Sequence, residues 1–221
     1  MKYGESIFDI LYLLTAILSG CLILRKKHDA AGILMGSAVL VLGAGDAFHL
    51  VPRVLNYFVD ADFTFQLGLG KLITSLTMTV FYVLLYLLHQ QLFRSPRGSS
   101  LKLFVFAAAI VRAVLCLLPQ NGWFTNESSL LWGTVRNIPF AALGAMIIFL
   151  YWTTRRQSNE LRRIWLYVTL SFLFYIPVAV FAPLLPTLGM LMLPKTVCYI
   201  LMIIAFLRFI RNGSRIQRNY D

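Results

Sequence analysis

Charge is scarce in this chain, and acidic charge is scarcest. Lysine, arginine, aspartate and glutamate together make up 13% of 221 residues. A soluble domain carries roughly twice that share, about 25%. The remainder is 59% hydrophobic with a mean hydropathy of +0.74. No globular core of this size buries so much apolar side chain, so a soluble domain is excluded and lipid is the expected solvent.

Histidine and cysteine are also few, at three each. Cys21, Cys116 and Cys198 all fall in apolar runs without a CxxC spacing. Disulfide and metal roles are therefore not expected, and buried apolar thiols are. Of the histidines, His28 and His89 fall at the opposite ends of their hydrophobic runs from His49. That excludes the metal centre which alkaline ceramidase-like membrane hydrolases build from several intramembrane histidines, and no metal or cofactor is expected. Low-complexity tracts and internal repeats are lacking. A cleavable signal peptide is not expected either, because the first apolar run follows Glu5 and ends in Arg25-Lys26-Lys27, the reverse of the required charge order.

Long apolar runs are what the chain does have. Seven separate cleanly, at 6–24, 30–51, 66–93, 101–118, 130–153, 164–184 and 187–209. Each has about the length that crosses a bilayer as a helix, roughly 20 residues. The expectation is an all-α integral membrane protein, a single domain over 1–221 forming a seven-transmembrane helix bundle.

Basic residues set the orientation. One set of connections holds Arg25, Lys26, Lys27, Arg94, Arg97, Lys102, Arg155, Arg156, Arg162, Arg163, Arg208, Arg211, Arg215 and Arg218. The opposite set holds only Lys2 and Arg53. Fourteen against two puts the first set in the cytoplasm, the C-terminus with it and the N-terminus outside, in a multi-pass protein of the cell membrane. The net charge of +11 then reflects topology and not nucleic-acid binding. Asn126-Glu127-Ser128, an N-glycosylation pattern, falls on the outer side.

Four cations remain inside spans: Lys71, Arg112, Arg136 and Lys195. A charge at a helix centre costs roughly 2.5–3.5 kcal/mol on insertion scales, so each is expected to face the bundle interior or a partner. Counted from the outer ends of their helices, all four sit about 8–12 Å deep at 1.5 Å per residue. Other polar residues share this layer. Asp46, His49 and Arg53 are spaced for one helix face. Lys71, Ser75, Met78 or Thr79, Tyr82 and Tyr86 form a stripe on the third helix, with Thr74 beside it. Asn137 adjoins Arg136, while Ser171 with Tyr175 and Lys195 with Tyr199 are one turn apart. Asp9 lies one turn below Glu5.

Two buried acids, Asp9 and Asp46, against four buried bases leave a surplus of about two positive charges. Low-dielectric surroundings reject uncompensated charge. An anionic ligand or water in an outer cavity resolves it. Pro139, Pro177 and Pro194 fall in the outer halves of the last three helices, where each is expected to break a backbone hydrogen bond and kink the helix. Gly68-Leu69-Gly70 follows no strand and reads as close helix packing, not as a phosphate loop.

The reading is a receptor or transporter that binds a small anionic molecule or lipid headgroup in a polar cavity of the outer half. Lys71, Arg112, Arg136 and Lys195 are the expected anion ligands, with Ser75, Tyr82, Asn137, Tyr175 and Tyr199 orienting it. The expected partners are membrane lipids and that ligand, not nucleic acid. One alternative is a membrane-embedded lipid-processing enzyme, with Asp46 and His49 as acid–base catalysts and the cations holding phosphate. Another is a structural or accessory subunit whose charges pair to lock the bundle. Lys195 resembles the Schiff-base lysine of retinal proteins, and Gly45-Asp46 resembles a fragment of lysoplasmalogenase-like membrane proteins. Each resemblance spans one or two residues and carries no role over.

Overall fold

A computed structural model describes residues 2–93, 99–125, 130–181 and 184–213. All regular secondary structure among them is helical. The seven α-helices are α1 (Lys2–Lys26), α2 (Ala30–Phe58), α3 (Thr64–Phe93), α4 (Ser99–Leu117), α5 (Leu130–Thr153), α6 (Ile164–Phe181) and α7 (Met192–Arg211). Short 3-10 segments at Pro119–Asn121 and Pro186–Leu191 precede α5 and α7. Each of the seven is long and apolar enough to cross a membrane, the makeup of a multi-pass membrane protein.

Local chemistry sets several boundaries. The Asp29 side chain accepts from the Gly32 N–H at 3.2 Å and caps α2. Arg25 and Lys26 sit in the last turn of α1, beside the negative end of its dipole. The helices pack in chain order into a closed ring, with α1 against α7. Helix α3 touches α2, α4 and α5 and buries Phe81, Tyr82, Leu85 and Leu88 completely. Large apolar side chains such as Leu11, Leu18, Ile110, Ile138 and Leu173 project from the outside of the bundle, where a soluble protein would place charge.

Glycines bring the backbones close where the site is built. A Cβ on Gly70 would meet the Phe48 carbonyl oxygen and the His49 backbone, and one on Gly68 would meet the Trp123 carbonyl. The expected packing role of Gly68-Leu69-Gly70 is the one observed.

The structure departs from the sequence reading at several points. Helix α2 runs past Val51, through Pro52, to Phe58, so Arg53 is a helical residue and not a loop residue. Its partners hold it there: Arg53 forms an ion pair with Glu5, and Tyr57 donates to Glu5 at 3.1 Å. Helix α6 stops at Phe181, and α7 begins at Met192 after its 3-10 segment. Pro194 is thus the third residue of α7, directly after the 3-10 segment, a first-turn position that proline tolerates. Helices α5 and α6 continue through Pro139 and Pro177. Cys116 and Cys198 are buried, but Cys21 is exposed on α1. Asn126, Arg94, Arg97, Arg215 and Arg218 lie outside the described residues.

Candidate functional site

A cavity of about 370 Å³ occupies one end of the ring, where α1 begins, α2 ends and α3 begins. Five helices and the α4–α5 connection line it. Helix α2 supplies Asp46, His49 and Arg53, and α3 supplies Lys71 and Thr74. Arg136 and Asn137 come from α5, Tyr175 from α6 and Lys195 from α7.

Arg136 is positioned by the end of a neighbouring helix. The last carbonyls of α4 have no intrahelical donors. Asn121 fills that role, its side-chain amide donating to Leu115 and Leu118 carbonyls at 2.7 and 2.9 Å. The Trp123 indole donates to the Cys116 carbonyl at 2.8 Å. Gly122, at φ 61°, makes the left-handed turn between them. So fixed, the Asn121 amide oxygen accepts from Arg136 at 2.8 Å, and the guanidinium lies 4.2 Å from the centre of a Trp123 ring. A guanidinium has five N–H donors in a planar fork. Stacking on an aromatic face holds that plane in one orientation.

Lys195 is held by rings. Its ammonium lies 4.6 Å from the Tyr175 ring centre and 5.4 Å from that of Tyr199. Tyr175 is itself fixed by donating to Asn137 at 2.8 Å, and Asn137 donates to the Gly133 carbonyl at 2.7 Å. Asp46 accepts from the Tyr12 hydroxyl at 2.6 Å, which ties α1 to α2. Lys195 stands within Coulomb reach of Asp46. Among the described residues, however, no carboxylate lies within 4 Å of Lys195 or Arg136, and neither Asp9 nor Asp46 forms an ion pair.

Of the residues singled out in the sequence, Asp46, His49, Lys71, Arg136, Asn137, Tyr175 and Lys195 come together around this cavity. Four others do not reach it. Ser75 turns back onto its own helix, donating to the Lys71 carbonyl at 2.8 Å. Tyr82 and Tyr199 are buried in the core, Tyr82 3.4 Å from the Ser171 hydroxyl. Arg112 is 2% exposed and lies flat on Phe140, 3.2 Å from the ring centre, with Nε and one terminal nitrogen lacking partners. Depth counted along the helix does not give the direction in which a side chain points, and Tyr82, eleven residues beyond Lys71 on α3, also lies about 16 Å deeper than the layer. Asp46 and His49 share the cavity but no hydrogen bond among the described residues.

Three contributors went unrecognised in the sequence: Tyr12, Asn121 and the stacking role of Trp123. Pro119-Gln120-Asn121-Gly122 does carry a turn and helix-end signal that points to Asn121. Nothing local marks Tyr12, which meets Asp46 across 34 residues. No known protein family, curated protein or solved structure matches this chain.

Proposed function

We propose that the protein binds a small anionic molecule or lipid headgroup in this cavity, as a membrane receptor or transporter. The observation that carries the reading is that Arg136 and Lys195 line one cavity. They come from different helices, are braced by rings and an amide, and have no carboxylate within 4 Å among the described residues. Lys71 lines the same cavity. Cations in a low-dielectric site are costly without a counter-charge. Aromatic and amide partners orient a cation but do not neutralise it, and an anion does.

The basic residues at the opposite end of the bundle, including Arg25, Lys26, Arg155, Arg156, Arg162, Arg163, Arg208 and Arg211, support a cytoplasmic C-terminus. The cavity then faces outward. Native mass spectrometry of the protein released from its own membrane tests the reading. An anionic adduct is expected on the wild type and absent from Arg136→Gln and Lys195→Met. Bare protein in all three would refute it.

A further inference from the structure

The cavity lining is part charged and part apolar. Along α2 and α3 it presents Asp46, His49, Arg53 and Lys71. Helices α5, α6 and α7 add Arg136, Asn137, Tyr175 and Lys195, and nearer their ends at the cavity mouth they and the 3-10 segment contribute uncharged Gly133, Val178, Ala179, Gly189 and Met192. That uncharged stretch is also spacious. A Cβ on Gly189 would meet nothing within 4 Å, and one on Gly133 would meet only the Ala179 carbonyl, at 3.4 Å. Beside the uncharged stretch in the chain, Phe181, Leu184, Leu185 and Met190 are 49–67% exposed. A simple inorganic anion needs the cations and nothing else. A site for it has no use for an uncharged stretch flanked by exposed apolar side chains.

We propose that the ligand is an amphiphile, an anionic headgroup of the phosphate-monoester kind carried on an alkyl chain. This rests on the anion-binding reading above and names the ligand class. The headgroup sits against Arg136 and Lys195, with Lys71 of α3 lining the same cavity. The first few carbons lie along Val178, Ala179 and Met192, and the rest of the chain leaves over the exposed residues of α6 and the 3-10 segment. The volume agrees, since about 370 Å³ takes a phosphate and a short stretch of chain but not a whole lipid.

Methyl, propyl and butyl phosphate, titrated calorimetrically into the full chain in nanodiscs, test the proposal, with butyl glucoside as the uncharged control. Each methylene entering an apolar stretch tightens binding about fourfold, so butyl phosphate, with three more methylenes, is expected to bind on the order of 60-fold tighter than methyl phosphate. Val178→Thr keeps the shape of the side chain and adds a hydroxyl. It is expected to flatten the chain-length series while leaving methyl phosphate affinity as in the wild type, which also reports that the variant is folded. Equal affinity for methyl and butyl phosphate, both lost in Lys195→Met, would overturn the amphiphile and leave an anion site standing. A chain-length series indifferent to Val178→Thr would overturn it too, by putting the alkyl group elsewhere. Binding of no phosphate ester, or of butyl glucoside as tightly as butyl phosphate, would overturn the anion site itself.

Discussion

Replacing Lys195 by methionine removes one cavity cation while keeping a side chain of similar volume and helix propensity. Two opposite effects on the ligand-free protein follow from its surroundings. The ammonium loses ring contacts at 4.6 and 5.4 Å, each worth about 0.5–1 kcal/mol. Against that, the desolvation cost of a buried ammonium and its repulsion by Arg112 disappear, offset in part by the loss of its attraction to Asp46. Asp46 keeps its hydrogen bond from Tyr12. The net is expected to lie within about 1 kcal/mol of zero, a shift of at most about 4 °C at 2–4 °C per kcal/mol for a chain of this size. Ligand binding shifts much further. A hydrogen bond to a charged partner is worth about 1.5–3 kcal/mol, so the phosphate Kd is expected to rise about 10- to 150-fold. At 100 times the wild-type Kd, phosphate stabilises the wild type by about 2.7 kcal/mol and the variant by only about 0.3–1.4 kcal/mol. Thermal unfolding of both proteins in nanodiscs, with and without phosphate, reads all of this in one experiment. If Lys195 instead served to lock the bundle through an ion pair, its loss would cost about 3–5 kcal/mol. A variant that melts ten or more degrees early, with no phosphate dependence in either protein, would refute the reasoning.

Three further outcomes are expected. A reporter fused after Asp221 reads cytoplasmic and one inserted near Glu127 reads external; swapped signals would remove the outward orientation. His49→Ala leaves phosphate affinity within a few-fold, because Arg136 and Lys195 carry the anion. Should the wild type turn over a lipid from a broad panel and His49→Ala slow it about 10²- to 10⁴-fold, the acid–base alternative would take its place. Gly70→Ala destabilises the protein by about 1–3 kcal/mol in chemical unfolding, since its Cβ meets the Phe48 and His49 backbone and pushes α3 away from α2. An unchanged midpoint would mean that the two helices are not held at that contact.

Much of the architecture was legible because lipid is an undemanding reader of sequence. A span needs only length and hydropathy, and both are local properties, so seven apolar runs announced seven helices. Even the layer of the site was legible, because a cation in an apolar run is conspicuous and its depth follows from 1.5 Å per residue. The boundaries were less so. Pro52 looks like a terminator, yet α2 runs on to Phe58, with Arg53 and Tyr57 held by Glu5 from α1, far away in the chain.

What only the tertiary structure decided is which members of that layer meet. Lys71, Arg112, Arg136 and Lys195 are alike in depth and type. Three line the cavity, while Arg112 lies against Phe140 in the core. The difference is azimuthal: it depends on how each helix is rotated in the ring, and rotation is set by neighbours such as Gly70 against His49 and Trp123 beneath Arg136. The α4 end cap is the clearest case. Asn121 satisfies carbonyls that α4 leaves open, and only through that service does its oxygen come to hold Arg136, fifteen residues on. Composition and periodicity determined the solvent, the helices and the depth of the charge. Close packing between residues distant in sequence determined the site.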